Sequence, residues 1–141
     1  MINWNERNKD LEGWHFGGKG SGLEDRLAEL VAKGIKTATS SWYESYSVEN
    51  EPLPKVSEQS YILNSTDLPV CVIELTKVEI KPFLEISKDF AYLEGEGDRS
   101  LTYWRQAHDT FFTAYGKEIN LVWDSKTQHL VCETFKIIHI F

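Results

Sequence analysis

The sequence predicts an α+β domain whose helices interrupt a run of mostly antiparallel strands, with the sheet curled into a small barrel. Two observations predict this. Two stretches carry apolar residues at the spacings of three and four that bury one helix face, and the segments between and after them are rich in β-branched residues bounded by turn chemistry.

The first helix is expected from Leu23 to Lys33, where Leu23, Leu27, Leu30, Val31 and Ile35 form the apolar stripe. Ser21 with Glu24 three residues on reads as a capping box, and Gly34 suits the left-handed residue that ends a helix. "KTATSS", residues 36–41, then leaves the helix as an extended segment. Strands follow at "SYILN", residues 60–64, and from Pro69 to Ile80, with "NSTDLP" as the turn between them. After "EGEGD" a second helix is expected to begin near Asp98. Its stripe is Leu101, Trp104, His108, Phe111, Phe112 and Tyr115, and Gly116 closes it. The tail reads as two strands joined by "DSKTQ".

At 141 residues one domain is the simplest reading, and five tryptophans supply large apolar surface for its core. The formal charge of -7 disfavours a broad duplex-binding face, because affinity for a long nucleic acid comes from lysines and arginines that displace counterions. Cys71 and Cys132 lie in apolar strand-like runs, and the N-terminus shows no signal-like pattern, so reduced thiols and a cytoplasmic protein are expected. The apolar runs fall short of a membrane span.

Three local patterns bear on chemistry. Lys36 and Thr39 are three apart, and in a regular strand they would point to opposite faces, so they meet only if the backbone after Gly34 is irregular. Glu94, Glu96 and Asp98 precede a helix, where carboxylates are favoured as caps, and their spacing is not that of a calcium loop. "FGGKGSG", residues 16–22, lacks the phosphate-loop spacing and reads as a flexible helix entry. His15, His108, His129 and His139 show no ligand spacing and read as packing or surface, so no metal or cofactor is expected.

"EGWHFGG", "LVAKGIKTATSSW", "FAYLEGEGDRSLTYWRQAH" and "VCETFKI", in this order over nearly the whole chain, resemble the bacterial branch of the ASCH domain family, relatives of the PUA domain. The resemblance implies a PUA-like β-barrel with flanking helices. It also implies a cleft for RNA or nucleotides beside the Gly-x-Lys-x-x-Thr element formed by Gly34, Lys36 and Thr39. One smaller relative is an amidohydrolase that removes acetyl from cytidine acetylated on its exocyclic amine, with a lysine, threonine and glutamate triad. By resemblance these are Lys36, Thr39 and Glu94, with Glu96 two residues from the last. Another relative is described as a ribonuclease. The longer N-terminus and the longer aromatic helix of this chain set it apart from the small amidohydrolase.

Three function classes follow, the third being a structural or regulatory protein whose cleft is vestigial. In the first, the protein is an amidohydrolase on a small nucleoside: Thr39 attacks, a desolvated Lys36 takes its proton, and Glu94 orients the amine or protonates the leaving group. Gly34 and Glu96 border the substrate, and Trp14, Trp42 and Trp104 are candidate stacking surfaces for its base. In the second, the protein is a non-catalytic module for single-stranded RNA or a nucleotide, with Lys36 on a phosphate.

Overall fold

The computed structural model describes residues 11–141, so the reading of the first residues as lacking an export signal lies outside the described chain. The elements in order are β1 (Glu12–Trp14), α1 (Glu24–Ala32), β2 (Ala38–Trp42), α2 (Tyr43–Val48), β3 (Gln59–Leu63), β4 (Pro69–Pro82), a 3-10 turn at Phe83–Glu85, α3 (Lys88–Glu94), α4 (Leu101–Ile119) and β5 (His129–Ile140). Five strands form one sheet in the order β1-β3-β4-β5-β2. Every neighbouring pair is antiparallel except the parallel β1–β3 pair.

The long β4 and β5 strands pair from Cys71↔Ile140 to Pro82↔His129, with register shifts at Val72/Ile73 and Leu75/Lys77. Such irregularities add local twist and bend a strand, and the sheet curls into a half-barrel flanked by helices. Two principal apolar clusters fill it. Leu27, Ala28 and Val31 of α1 pack with Phe16, Ile62, Ile73, Leu75 and Phe135. Trp104 and Phe112 of α4 pack with Trp42, Phe83, Ile86, Leu130 and Cys132. Among the described residues, no helix is long and apolar enough to cross a membrane.

Several sequence expectations need correction. Ser21 is not the cap of α1. The carboxylate of Glu24 instead accepts from the amides of Gly20 and Gly22 and from Ser21 Oγ, tying down the glycine loop, and Leu23 at the helix entry is exposed. The second long helix starts at Leu101 rather than near Asp98, because Ser100 Oγ accepts the Tyr103 amide. It runs through Gly116 to Ile119, and Gly116 is an interior position against Trp42. The expected hairpin in the tail is one strand. "INLVW" stays out of the sheet because Leu121 and Trp123 pack against the α4 cluster, and Trp123 Nε1 donates to Asp109. Helices α2 and α3, of six and seven residues, are too short for an apolar period to reveal.

Candidate functional site

Helix α1 ends as the sequence indicates. Gly34 takes φ +73°, its amide donates to Val31 O, and the amides of Ile35 and Lys36 both donate to Leu30 O. Thr37 is then held from two sides, donating its amide to Leu93 O while its carbonyl accepts from Phe135. Strand β2 begins only at Ala38. Lys36 therefore precedes the strand, and the alternation rule that would oppose it to Thr39 does not govern it.

The partner wall is the turn after α3. Gly95, with φ +74°, ends that helix, and a Cβ there would lie 2.6 Å from Ile35 O and 3.1 Å from Lys36 Cα. Only glycine permits this approach, which brings the end of α3 against the Ile35–Lys36 backbone. Arg99 secures it, donating from Nη2 to Ile35 O and from Nε to Tyr92 O, with its guanidinium 3.6 Å from the centre of the Tyr92 ring.

Lys36 and Glu94 meet at this junction with both side chains 2% exposed. Lys36 Nζ donates to Ala38 O at 2.9 Å, Glu96 Oε2 at 3.0 Å and Glu94 Oε1 at 3.3 Å, with Glu94 O at 3.4 Å. The face of Phe16 lies 5.3 Å away. Glu94 Oε2 accepts from Trp104 Nε1 at 2.6 Å and from Ser40 Oγ at 2.8 Å, and His108 Nε2 stands 3.5 Å from Oε1. Burial would raise the Glu94 carboxyl, but Lys36, His108 and the bonds from His108 and Trp104 outweigh it and hold it at about 2. Burial works against a charged His108 too, and there Glu94 prevails and lifts the imidazole above its ordinary value. The other ring nitrogen, Nδ1, bonds Trp104 O at 2.8 Å and so carries a proton.

A cavity of about 190 Å³ lies over this network, lined by Lys36, Thr39, Ser40, Glu94, Glu96 and His108 among others. Thr39 is half-buried and also lines a neighbouring cavity of about 910 Å³, so the two cavities share the threonine as part of their walls. Among the described residues, no three histidine, cysteine or carboxylate side chains are grouped as metal ligands.

The model of the ASCH domain matches residues 12–139. The chain belongs to the ASCH domain family. The crystal structure of an ASCH domain from Lactobacillus crispatus JV V101 is 31% identical, with a TM-score of 0.84, over 96% of this chain and 84% of that one. A crystal structure of an Enterococcus faecalis V583 protein is 36% identical at the same TM-score, over 92% and 77% of the two chains. No curated protein matches significantly.

In this ASCH domain the tryptophans divide by role. Trp104 is sandwiched between the rings of His108 and Phe83 and serves Glu94 as a donor, so neither of its faces is free to stack. Trp42 lines the larger cavity but is 1% exposed, held by Trp123, Phe112 and a bond to Gln128. Trp14 is half-buried on the wall of that cavity, and Phe111, 47% exposed, borders both cavities. Gly34 lines neither cavity, and its part is the helix exit.

Sequence reasoning missed two groups. His108 carried a signal, since Trp104-x-x-x-His108 sets both rings on one helix face. Glu133 carried none beyond an acid in an apolar strand. It is 2% exposed on β5, stands opposite Thr39 in register, and its Oε1 has no hydrogen-bond partner.

Proposed function

We propose that this ASCH domain binds an uncharged nucleoside in the cavities around Thr39 and hydrolyses an amide on its base, of the kind present in cytidine acetylated on its exocyclic amine. The observation that carries the reading is the meeting of Lys36 and Thr39, from the stretch that leads into β2, with Glu94, from the end of α3, on one cavity. Thr39 Oγ bonds to the acyl carbon, and the bond to the base nitrogen then breaks with a proton delivered to that nitrogen.

The two glutamates divide the work. Glu94 is buried, bonded to four side chains and held ionised at about 2, which suits a fixed anion that orients Lys36 and His108. Glu96 is more exposed and its carboxylate bonds Lys36, so it suits the group that carries protons. Lys36, which is not hydrogen-bonded to Thr39 in this structure, acts as its base through one bridging water after it passes a proton to Glu96. Glu96 then gives that proton to the leaving nitrogen. A water repeats the attack on the acyl-threonine and frees the acid.

Binding of a phosphate by Lys36 is less well supported, because its ammonium is already enclosed by two carboxylates and a backbone carbonyl. Two free, buried cysteines fit a reducing, cytoplasmic setting. The test is incubation with N-acetylated cytidine and, separately, with short single-stranded RNA, with products separated by chromatography. Free cytidine that depends on Thr39 supports the proposal. Cleaved RNA, or RNA binding without turnover of the nucleoside, would replace it with a ribonuclease or a binding module.

A further inference from the structure

The larger cavity holds a buried carboxyl that the proposed chemistry does not use. Its walls come from β1 and the loop after it (Trp14, Phe16), from α2 (Tyr46), from the connection to β3 (Glu51, Glu58), from α4 (Phe111) and from Glu133 of β5. Among the described residues, no lysine or arginine lines it. A phosphate would find no lysine or arginine there, and His15 on its wall is engaged with Asp67 at 2.7 Å, whereas a flat aromatic ring has side walls to lie against.

Glu133 gives this cavity its chemical character. It is the register partner of Thr39 on β2 and of Val78 on β4, and antiparallel partners project on the same face with Cβ atoms about 5 Å apart. Its Oε1 is buried without a hydrogen-bond partner, although the neighbouring Tyr46 and Ser41 hydroxyls satisfy one another at 2.6 Å. Buried polar groups are rarely left so, and one beside a cavity is a place for a ligand to complete the bond.

We propose that the larger cavity receives a nucleobase with an amidine-type edge, an acceptor ring nitrogen beside an exocyclic N–H as in cytosine and its N-acylated forms. Glu133 pairs with that edge as a neutral carboxylic acid, its O–H donating to the ring nitrogen and its C=O accepting from the exocyclic N–H. An acyl group on the exocyclic nitrogen then projects beside Thr39, the register partner of Glu133. This deepens the nucleoside reading above and rests on it.

The surroundings keep the proton on Glu133. Burial acts first and the carboxylates of Glu58 and Glu94 add to it against a smaller opposing pull from Lys36, so the group is pushed up to about 8. Of the other groups near it, Glu94 at about 2 and Tyr46 at about 12 change charge outside the neutral range, and Val78 and Thr39 carry no charge. His15, on the wall of the same cavity and bonded to Asp67, and His108, across Thr39 in the smaller cavity and raised above its ordinary value, belong among the controls.

The experiment is calorimetric titration of cytidine into the wild type, Glu133→Gln and Glu133→Ala from pH 6 to 9.5, with turnover of N-acetylated cytidine followed in parallel. Wild-type affinity is expected to hold below about pH 8 and then to fall about tenfold per pH unit, as the donor is lost. Glu133→Gln, which keeps a donor and an acceptor, should bind within a few-fold of wild type without that alkaline fall. Glu133→Ala should lose about tenfold or more. Any alkaline fall that persists in Glu133→Gln belongs to another group such as His108 and counts against the inference. Affinity that rises with pH marks a site for organic cations and overturns it. So does a flat wild-type profile, or a glutamine variant as weak as the alanine one. Turnover accompanied by any of these overturns this inference alone, whereas absence of both cytidine binding and turnover removes the proposed function as well.

Discussion

Lys36 and Glu94 meet at 3.3 Å across 58 residues of sequence, both closed off from solvent, with Ser40, Trp104 and His108 completing the carboxylate's shell. An ion pair so deep is held by its full set of hydrogen bonds, since the attraction between the charges has to offset the loss of their hydration.

Removing one partner should therefore cost more than removing both. Lys36→Met or Glu94→Leu alone should lower the unfolding free energy by about 3–5 kcal/mol, because each leaves a buried charge uncompensated, while the double variant should recover part of that loss. Urea denaturation of the four proteins measures the coupling. Strictly additive losses would mean that the two charges do not depend on each other.

Thr39 is where the proposed catalysis can be separated from folding. Its half-buried side chain makes no hydrogen bond among the described residues, so Thr39→Ala should change stability by less than about 1 kcal/mol. The same change should reduce cytidine release by about a thousandfold or more, and Thr39→Ser should retain part of the activity. Steady-state rates with a melting curve on each variant decide this, and an active alanine variant removes the threonine from the mechanism.

The acid limb of stability follows from Glu94. A carboxyl whose folded pKa is depressed contributes stability that is present above its unfolded value of about 4.5 and is lost as pH falls toward about 2. Unfolding followed by circular dichroism should show a loss concentrated in that window. Glu94→Gln should shrink the part of the loss that belongs to this group.

Glu133 has the opposite sign. Its folded pKa of about 8 lies above the unfolded value, so the folded state binds the extra proton between about pH 4.5 and 8, and stability declines as pH rises through that interval. Glu133→Gln should thus gain stability relative to wild type as pH rises, by on the order of a few kcal/mol at pH 8. A gap between the two proteins that does not change with pH would mean that Glu133 is not held protonated.

Gly95 is where the site is built by close approach. Gly95→Ala puts a Cβ 2.6 Å from Ile35 O at positive φ, and should cost about 1–3 kcal/mol while displacing Lys36 from Glu94. A fall in turnover larger than the fall in folded fraction at assay temperature is the expected readout. Unchanged melting and turnover would show that the Ile35–Lys36 segment can retreat.

Much was legible in the sequence because it is local. The apolar period predicted α1 and α4, β-branched runs predicted β3, β4 and β5, and Gly34 marked the helix exit, since each depends on neighbours a few residues away. Lys36, Thr39 and Glu94 were named from the resemblance, and residue types alone left them as a polar strand and a cap. Only the tertiary structure decided that Glu94 is an internal anion, because its partners Lys36 and Ser40, beside and on β2, and Trp104, on α4, come from two other segments of the chain. It also decided that Trp104 is a donor within the core, that the segment before β5 packs on α4 in place of pairing as a strand, and that Glu133 stands opposite Thr39 with an oxygen unpaired. The physical reason is that burial and hydrogen-bond satisfaction belong to the packed chain, and a one-residue change of strand register would turn Glu133 to the other face.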